Sequence, residues 1–385
     1  MNFLNGTKHR LLLIFGAVVI VLIGGSMMQS GIADPIKSDL SLPGILGETA
    51  AMTPTGTGKG EIDINAAKGF AGIPGAPKIN PVVAFFWALW VGWIFSTVGA
   101  FGGVMAGVGH LTLFALGNYA GSFQTTNPAL NALLTDTIRA SNQYLVGLAA
   151  LISVYSFLRM KRLVVPLGVS LGIGSVAGGL LIPWFTAGKI SLHAYVGYFG
   201  LIVLVIGGVI FYNTLKKGQS VKPHAGGKDP TSKGVQIIHL GWRRMTIEFQ
   251  GTEYGFSPVL AMLGGLVIAS ISSFIGVGGG FLYVPFLTSV LGLPMYIVAG
   301  TSALAVLLSM ISSIFSYVVL KGTFISWWLV GIEMAGVFAG ALIGPRTQRY
   351  IPEIWLKRIF VVLAVYVGIR YLSKGFFGQS WLPPF

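Results

Sequence analysis

Twice in this chain an apolar run is too long for one crossing of a bilayer. Residues 82–117 and 256–292, 36 and 37 residues long, contain no Asp, Glu, Lys or Arg. As a single helix, 36 residues would reach about 54 Å at about 1.5 Å per residue. The hydrocarbon core is only about 30 Å thick. Each run must therefore turn back inside the membrane. Glycines mark the turns: Gly99, Gly102 and Gly103 in "STVGAFGG", and Gly276, Gly278, Gly279 and Gly280 in "SFIGVGGGFLYVPFL". Backbone freed at that depth is tolerated only against protein or a cavity. Glycine permits positive φ and leaves N–H groups uncovered. A helix that restarts near Phe281 points its positive dipole end inward, which is an anion-binding arrangement. Pro285 falls near the first turn of that helix, where its missing N–H costs little. The competing use of such glycines is close helix packing.

Composition agrees with a membrane protein. Only 9% of the 385 residues are charged, against about 25% in soluble domains, and mean hydropathy is +0.79. The net charge of +14 fits the Lys and Arg bias of cytoplasmic loops. No nucleic-acid reading element accompanies it. There are no cysteines, which excludes disulfides and thiolate metal sites. The glycine run has no following Lys–Ser/Thr pair, so it is not a nucleotide loop. Neither metal nor cofactor is expected. The expected partners are a small anionic substrate and the lipid bilayer, not nucleic acid, and a homodimer is left open.

Five regions follow along the chain. Residues 1–28 contain the apolar Leu11–Met28 behind Lys8, His9 and Arg10, and read as a transmembrane helix or signal anchor, with a cleavable signal ending at Ala33 as the alternative. Residues 29–80 read as an extracytoplasmic segment. Residues 82–212 hold a first set of apolar segments, 82–98, 102–117, 143–158, 163–185 and 193–212. Residues 213–255 carry Lys216, Lys217, Lys222, Lys228, Lys233, Arg243 and Arg244, and read as a basic cytoplasmic linker. Residues 256–373 hold a second set, 256–274, 278–292, 296–320, 325–344 and 353–373.

The two sets resemble each other in order. "VAGGLLIP" (176–183) answers "FAGALIGP" (338–345), "ASNQYLVGLAALISVYS" (140–156) answers "GTSALAVLLSMISSIFS" (300–316), and "STVGAFGG" (96–103) answers "SFIGVGGG" (273–280). Basic residues place "RMKR" (159–162) and the connection around Arg346, Arg349, Lys357 and Arg358 on the cytoplasmic side. Counting back, the first half starts outside and the second inside. The expected fold is an all-α polytopic membrane protein of two inverted repeats. Each has a glycine-broken helix hairpin plus three spanning helices, and one N-terminal helix precedes them. Inverted repeats with interrupted helices mark secondary transporters, with the site where the interruptions meet.

"GVGGGFLYVPFL" followed by "AGTSALAVLL" resembles the TauE/SafE family of membrane proteins, the sulfite exporters or anion permeases. The resemblance covers about 82–373 and rests on Gly276, Gly278, Gly279, Gly280, Pro285, Gly300, Thr301 and Ser302. The first half matches more loosely: it lacks the proline and sets Ser141 and Asn142 opposite Thr301 and Ser302. The resemblance implies export of a small sulfur oxyanion or organosulfonate; proton-coupled import of an organosulfonate or carboxylate is the alternative, and a non-transporting membrane scaffold or sensor a further one. An enzyme is not expected, because the apolar segments offer only Glu333 and His110 as candidate groups, far apart in sequence, and no metal-ligand spacing.

An oxyanion that sheds water needs replacement donors from backbone N–H and from hydroxyl or amide side chains. The candidate substrate-binding residues are therefore Gly278, Gly279, Gly280, Gly102 and Gly103 at the breaks. Ser96, Thr97, Ser272 and Ser273 stand just before the breaks, and Ser141, Asn142, Gln143, Thr301 and Ser302 start the helices that follow. A Ser or Thr in a membrane helix also commonly bonds back to its own helix. Glu333, in "WWLVGIEMAGVF", and His110, in "GVGHLTLF", are the candidates for proton coupling, since intramembrane charges are rare and functional. Asp136 and Arg139, one helical turn apart, are expected as a solvated surface pair. Arg346 and Lys357 serve orientation.

Overall fold

The computed structural model describes residue 42 and residues 44–99, 102–190, 192–216, 234–249, 251–275, 280–348, 350–351 and 353–382. The apolar segment Leu11–Met28, the linker residues 217–233 and the glycine positions 276–279 lie outside the described residues. Twelve helices and three short strands are described. In chain order the helices are α1 (Gly44–Ala51), α2 (Pro81–Ile94), α3 (Gly102–Val108), α4 (Leu116–Ser122), α5 (Pro128–Arg159), α6 (Val165–Thr186) and α7 (Leu192–Lys216), then α8 (Pro258–Ile275), α9 (Gly280–Pro285), α10 (Met295–Ile314), α11 (Trp327–Gln348) and α12 (Glu353–Phe377). Wider π turns extend α2 (Phe95–Gly99), α3 (Gly109–Leu113), α9 (Phe286–Val290) and α10 (Phe315–Leu320).

Two helices start on the same local signal. Asn80 and Asn127 each stand before a proline, and each side chain accepts from backbone N–H groups of the first turn: Val82 and Val83 for α2, Leu130 for α5. The amide caps the free N–H groups, and proline at the first helical position lacks one that would be orphaned anyway.

Both long apolar runs fold back. Trp87 Nε1 donates to Met105 O at 3.1 Å, a pair that a straight helix would hold about 27 Å apart. A Cβ at Gly102 would lie 2.5 Å from both Phe95 Cβ and Val91 O, so only glycine permits this return. In the second run, a Cβ at Gly264 would lie 2.4 Å from Phe286 Cζ, 22 residues on. The hairpins meet: α9 lies against α3 and against the Phe95–Gly99 turn.

Helix packing is duplicated in register. On α6, Gly174 faces Met262 and Leu266 of α8, and Gly178 faces Leu266 and Ser270. On α11, Gly336 faces Phe85 and Leu89 of α2, and Gly340 faces Leu89 and Trp93. The α6 and α11 positions differ by 162 throughout, and the α8 and α2 positions by 177. Pro183 and Pro345, inside α6 and α11, keep the 162 spacing. Meanwhile α5 and α10 pack antiparallel: Gly147 approaches Met310, while Gly300 approaches Phe157 and Arg162. Helices α7 and α12 also pair antiparallel, Gly200 against Leu372 and Gly207 against Ala364.

The inner layer is α5 and α10, with 78% and 67% of their spanning windows buried, against 50% for α6 and 44% for α11. These four are long and apolar enough to cross a membrane, and shorter apolar helices occupy Pro81–Thr97, Tyr195–Val209 and Pro258–Phe274. The outer faces are apolar too, with Ile173, Val205, Leu263, Val267, Phe338 and Val362 exposed, as lipid contact requires.

Two features depart from the sequence reading. The stretch between the apolar segments 102–117 and 143–158 is not a connecting loop: it forms most of α4 and the first half of the 32-residue α5. Its polar residues depress hydropathy, but they are buried in the bundle. The basic linker ends in an antiparallel meander, Gln236–Leu240, Met245–Phe249 and Thr252–Phe256, in that order. Met245, Ile247 and Phe249 alternate inward on the middle strand. Lys161 O accepts from Val235 N at 3.1 Å, so the meander sits at the C-terminal end of α5. Residues 44–80 pack at the other end, where Asn127 Nδ2 donates to Thr49 O and Thr53 Oγ1, both 2.8 Å.

The glycine crossings give a direct test. Gly340 would place a Cβ 1.9 Å from Leu89 O, whereas Gly331 on the same helix has nothing within 4 Å. Gly340→Val should lower stability in detergent by about 1–3 kcal/mol or more, and Gly331→Ala should leave it unchanged or raise it slightly. Thermal melting of the purified variants reads both, and equal melting points for the two would reject the crossing.

Candidate functional site

The midsection of α5 carries an unusual density of buried polar side chains. Thr135, Asp136, Thr137, Arg139, Ser141, Asn142 and Gln143 are all buried. At helical spacing, Asp136, Arg139 and Asn142 or Gln143 line one face.

Asn142 meets two residues from distant parts of the chain. His110, in the π turn after α3, places Nδ1 2.5 Å from Asn142 Oδ1. Its Nε2 lies 3.0 Å from Glu333 Oε2 on α11. His110 and Glu333 are each about 1% exposed. The chemistry of the donors fixes part of the arrangement. With the amide oxygen facing the ring, Nδ1 must donate. The Nε2–Oε2 contact then needs a proton between them, held either by an imidazolium or by a carboxylic acid. Three side chains from the first hairpin, α5 and α11 thus meet in one buried contact with a proton between His110 and Glu333. Phe114 closes the ring edge, at 5.7 Å between centroids.

Arg139 is the second feature, and it corrects the sequence reading. The Asp136–Arg139 pair is not solvated. Arg139 is fully buried, and Asp136 is 6% exposed. Its guanidinium donates to Asp136 Oδ1 at 2.9 Å, Thr186 Oγ1 at 3.2 Å, Ser273 O at 3.2 Å and Phe274 O at 2.7 Å. It also lies 5.1 Å from the Tyr317 ring centre. Asp136 Oδ2 in turn accepts from Gly188 N at 2.6 Å. A helix C-terminus ends in unpaired carbonyls with partial negative charge. Arg139 satisfies two of them on α8, just before the glycine run. A single charged pair at i,i+3 in a chain with so few charges was the sequence signal for this staple. Its burial was not legible there.

The hydroxyl candidates divide. Ser96, Thr97, Ser272, Thr301 and Ser302 donate to carbonyls three or four residues back, Gly92, Trp93, Ala269, Ile297 and Ala299. Thr301 Oγ1 also accepts from Val164 N at 3.1 Å, tying α10 to the loop before α6. In contrast, Ser141 Oγ, Asn142 Nδ2, both Gln143 side-chain atoms and Ser273 Oγ are buried with no hydrogen-bond partner. Gly102 and Gly103 open the buried α3, Gly280 is the first residue of α9, and Gly278 and Gly279 lie outside the described residues. Asn142, His110 and Glu333 are therefore brought together, and Ser273 is brought to Arg139. Arg346 bonds its own helix at Leu342 O.

A helical bundle with two back-folded apolar hairpins and buried polar side chains in its interior is the architecture of a polytopic membrane protein. The sulfite exporter TauE/SafE family matches residues 84–371, and the chain belongs to that family. A probable membrane transporter protein of Haemophilus influenzae (strain ATCC 51907 / DSM 11121 / KW20 / Rd) is 29% identical over 142 residues, 32% of this chain and 51% of that protein. The chain thus spans about half the length of this curated relative. No solved structure matches.

The staple is separable from the rest. Arg139→Gln leaves Asp136 buried and unpaired and uncaps two carbonyls, so it should cost about 3–5 kcal/mol. Removing both charges, as in Asp136→Leu with Arg139→Met, should cost less than Arg139→Gln alone. Denaturation of the three proteins in detergent checks the order, and a double variant no better than the single one would show that the pair is not the unit.

Proposed function

We propose that the protein is a secondary transporter that moves a small sulfur-containing oxyanion, a sulfite, sulfate or organosulfonate, outward across the cytoplasmic membrane. Family membership supports transport, and the substrate class comes from the family's description. In this reading 82–212 and 256–373 are two inverted repeats. The matched glycine crossings and the antiparallel α5–α10 pair support that symmetry. The N-terminus and the 213–255 linker face the cytoplasm, and 29–80 lies outside. The attachment of 44–80 and the strand meander at opposite ends of α5 fits this placement.

The observation that carries the reading is the run of buried polar side chains on α5, with Ser273 on α8, several of them unpartnered. A buried polar group without a partner costs about 1–3 kcal/mol. Ser141, Asn142, Gln143 and Ser273 supply hydroxyl and amide N–H donors, and a dehydrated oxyanion is the ligand that such donors satisfy. Backbone N–H groups at Gly102, Gly103, Gly278, Gly279 and Gly280 complete the proposed site. Ser96, Thr301 and Ser302 hold helix geometry around it.

No nucleotide is needed. An inside-negative potential drives an anion outward by about 2.3 kcal/mol per charge per 100 mV. A second reading is proton-coupled import of an organosulfonate or carboxylate, and the His110–Glu333 contact favours it. One proton moving with one monovalent anion makes the cycle electroneutral, so a pH gradient replaces the potential as driving force.

Reconstituted flux separates the readings. Sulfite, sulfate, sulfoacetate, taurine and acetate are compared under an imposed potential and under an imposed pH gradient. Potential-driven efflux that prefers a sulfur oxyanion supports the proposal. Flux that follows only the pH gradient supports the importer, and no selective flux at all rejects both. Glu333→Gln keeps a hydrogen bond to His110 but cannot exchange a proton. It should flatten the pH dependence of flux, and an unaltered pH profile would remove Glu333 from coupling.

A further inference from the structure

A cavity of about 540 Å³ opens at the end of the bundle that carries residues 44–80, between the loop 68–79 and the start of α11. Its walls include Lys68, Lys78, Phe70, Phe324, Trp327 and Trp328, and no acidic side chain lines it. The volume is in the range of small-molecule sites, about 300–1,000 Å³. Two lysines and four aromatic residues make a mixed lining. The charges attract an anion, and the rings gain only from a ligand with carbon to bury.

The floor of the cavity connects to the polar centre. Trp327 packs edge-on against Tyr144, with ring centroids 5.1 Å apart at 74°. Tyr144 is buried on α5 with its hydroxyl unpartnered. It follows Gln143 in the chain and stands one helical turn from Ser141. On the other side, Trp327 begins the helix that carries Glu333. The Trp327–Tyr144 contact thus links the cavity lining to the buried polar stretch of α5.

We propose that this cavity is a binding site for an organic anion at the outer mouth of the pathway. Lys68 and Lys78 hold the charged group, the rings hold the carbon body, and the Trp327–Tyr144 contact closes the way inward. The ligand's onward passage rests on the transport reading, whereas binding does not. The residues 44–80, which lie outside the family match, become part of the recognition apparatus.

Tryptophan emission of the full chain in detergent, titrated with propanesulfonate and with sulfite, tests this without any gradient. Propanesulfonate should shift the emission saturably and bind more tightly than sulfite, which has no carbon. The double variant Trp327→Phe/Trp328→Phe should lose the shift while calorimetry still detects binding. Lys68→Ala with Lys78→Ala, both exposed positions, should weaken binding about fivefold or more. A shift that survives the tryptophan replacements, an affinity indifferent to the lysines, or equal affinity for sulfite would overturn the site. Because binding is read without flux, its failure leaves the transport reading to its own test.

Discussion

Every backbone group that leaves a helix inside a bilayer must find a partner in the protein, because the hydrocarbon offers none. That constraint organises this chain. Two apolar runs reverse, and at Gly102 only glycine lets backbone approach backbone closely enough for the return. Gly102 presses onto Val91 and Phe95, and Arg139 reaches from α5 to take the last carbonyls of α8. The hairpins are then held in place by glycine crossings against α11 and α6. Helix packing in lipid gains little from hydrophobic contrast. Small residues and internal hydrogen bonds carry the load, and the polar centre is built from the same economy.

That centre has two parts on one helix. Arg139 and Asp136 form a charge-neutral staple in which both terminal guanidinium nitrogens are bonded and Nε has no partner. One turn further along, Asn142 orients His110 toward Glu333 and leaves its own amide nitrogen without a partner. A rigid staple next to an incompletely satisfied cluster is a sensible division of labour. The first ties α5 to the end of α8, and the second joins α5 to the first hairpin and to α11 through His110 and Glu333.

Much of the architecture was legible in the sequence because the signals were physical lengths. The 36- and 37-residue uncharged runs required reversals, and the described helices stop and restart on either side of residues 100–101 and 276–279. The convergence of Asn142, His110 and Glu333 was not legible. The three positions are spread over more than two hundred residues, and no local spacing links them. The start of α5 at Pro128 was missed for the opposite reason. Its Thr135–Gln143 stretch looks polar by hydropathy, yet it is polar because it faces the interior rather than lipid. The meander at 236–256 follows a run of lysines that concealed its alternating middle strand. Among the hydroxyls, sequence could not tell Ser273, which is unpartnered, from Ser272, which bonds Ala269; one step along a helix turns a side chain by about 100°.

The chain contains no cysteine, so single cysteines report one position at a time. Ser141→Cys and Ser273→Cys, each reconstituted and exposed to a membrane-impermeant anionic thiol reagent, test the central claim most directly. If the meeting point of the hairpins is an anion pathway, both thiols react, and sulfoacetate or sulfate slows the reaction at both. Thiols that stay unreactive from either side of the membrane, or that react without protection by any anion, would contradict it.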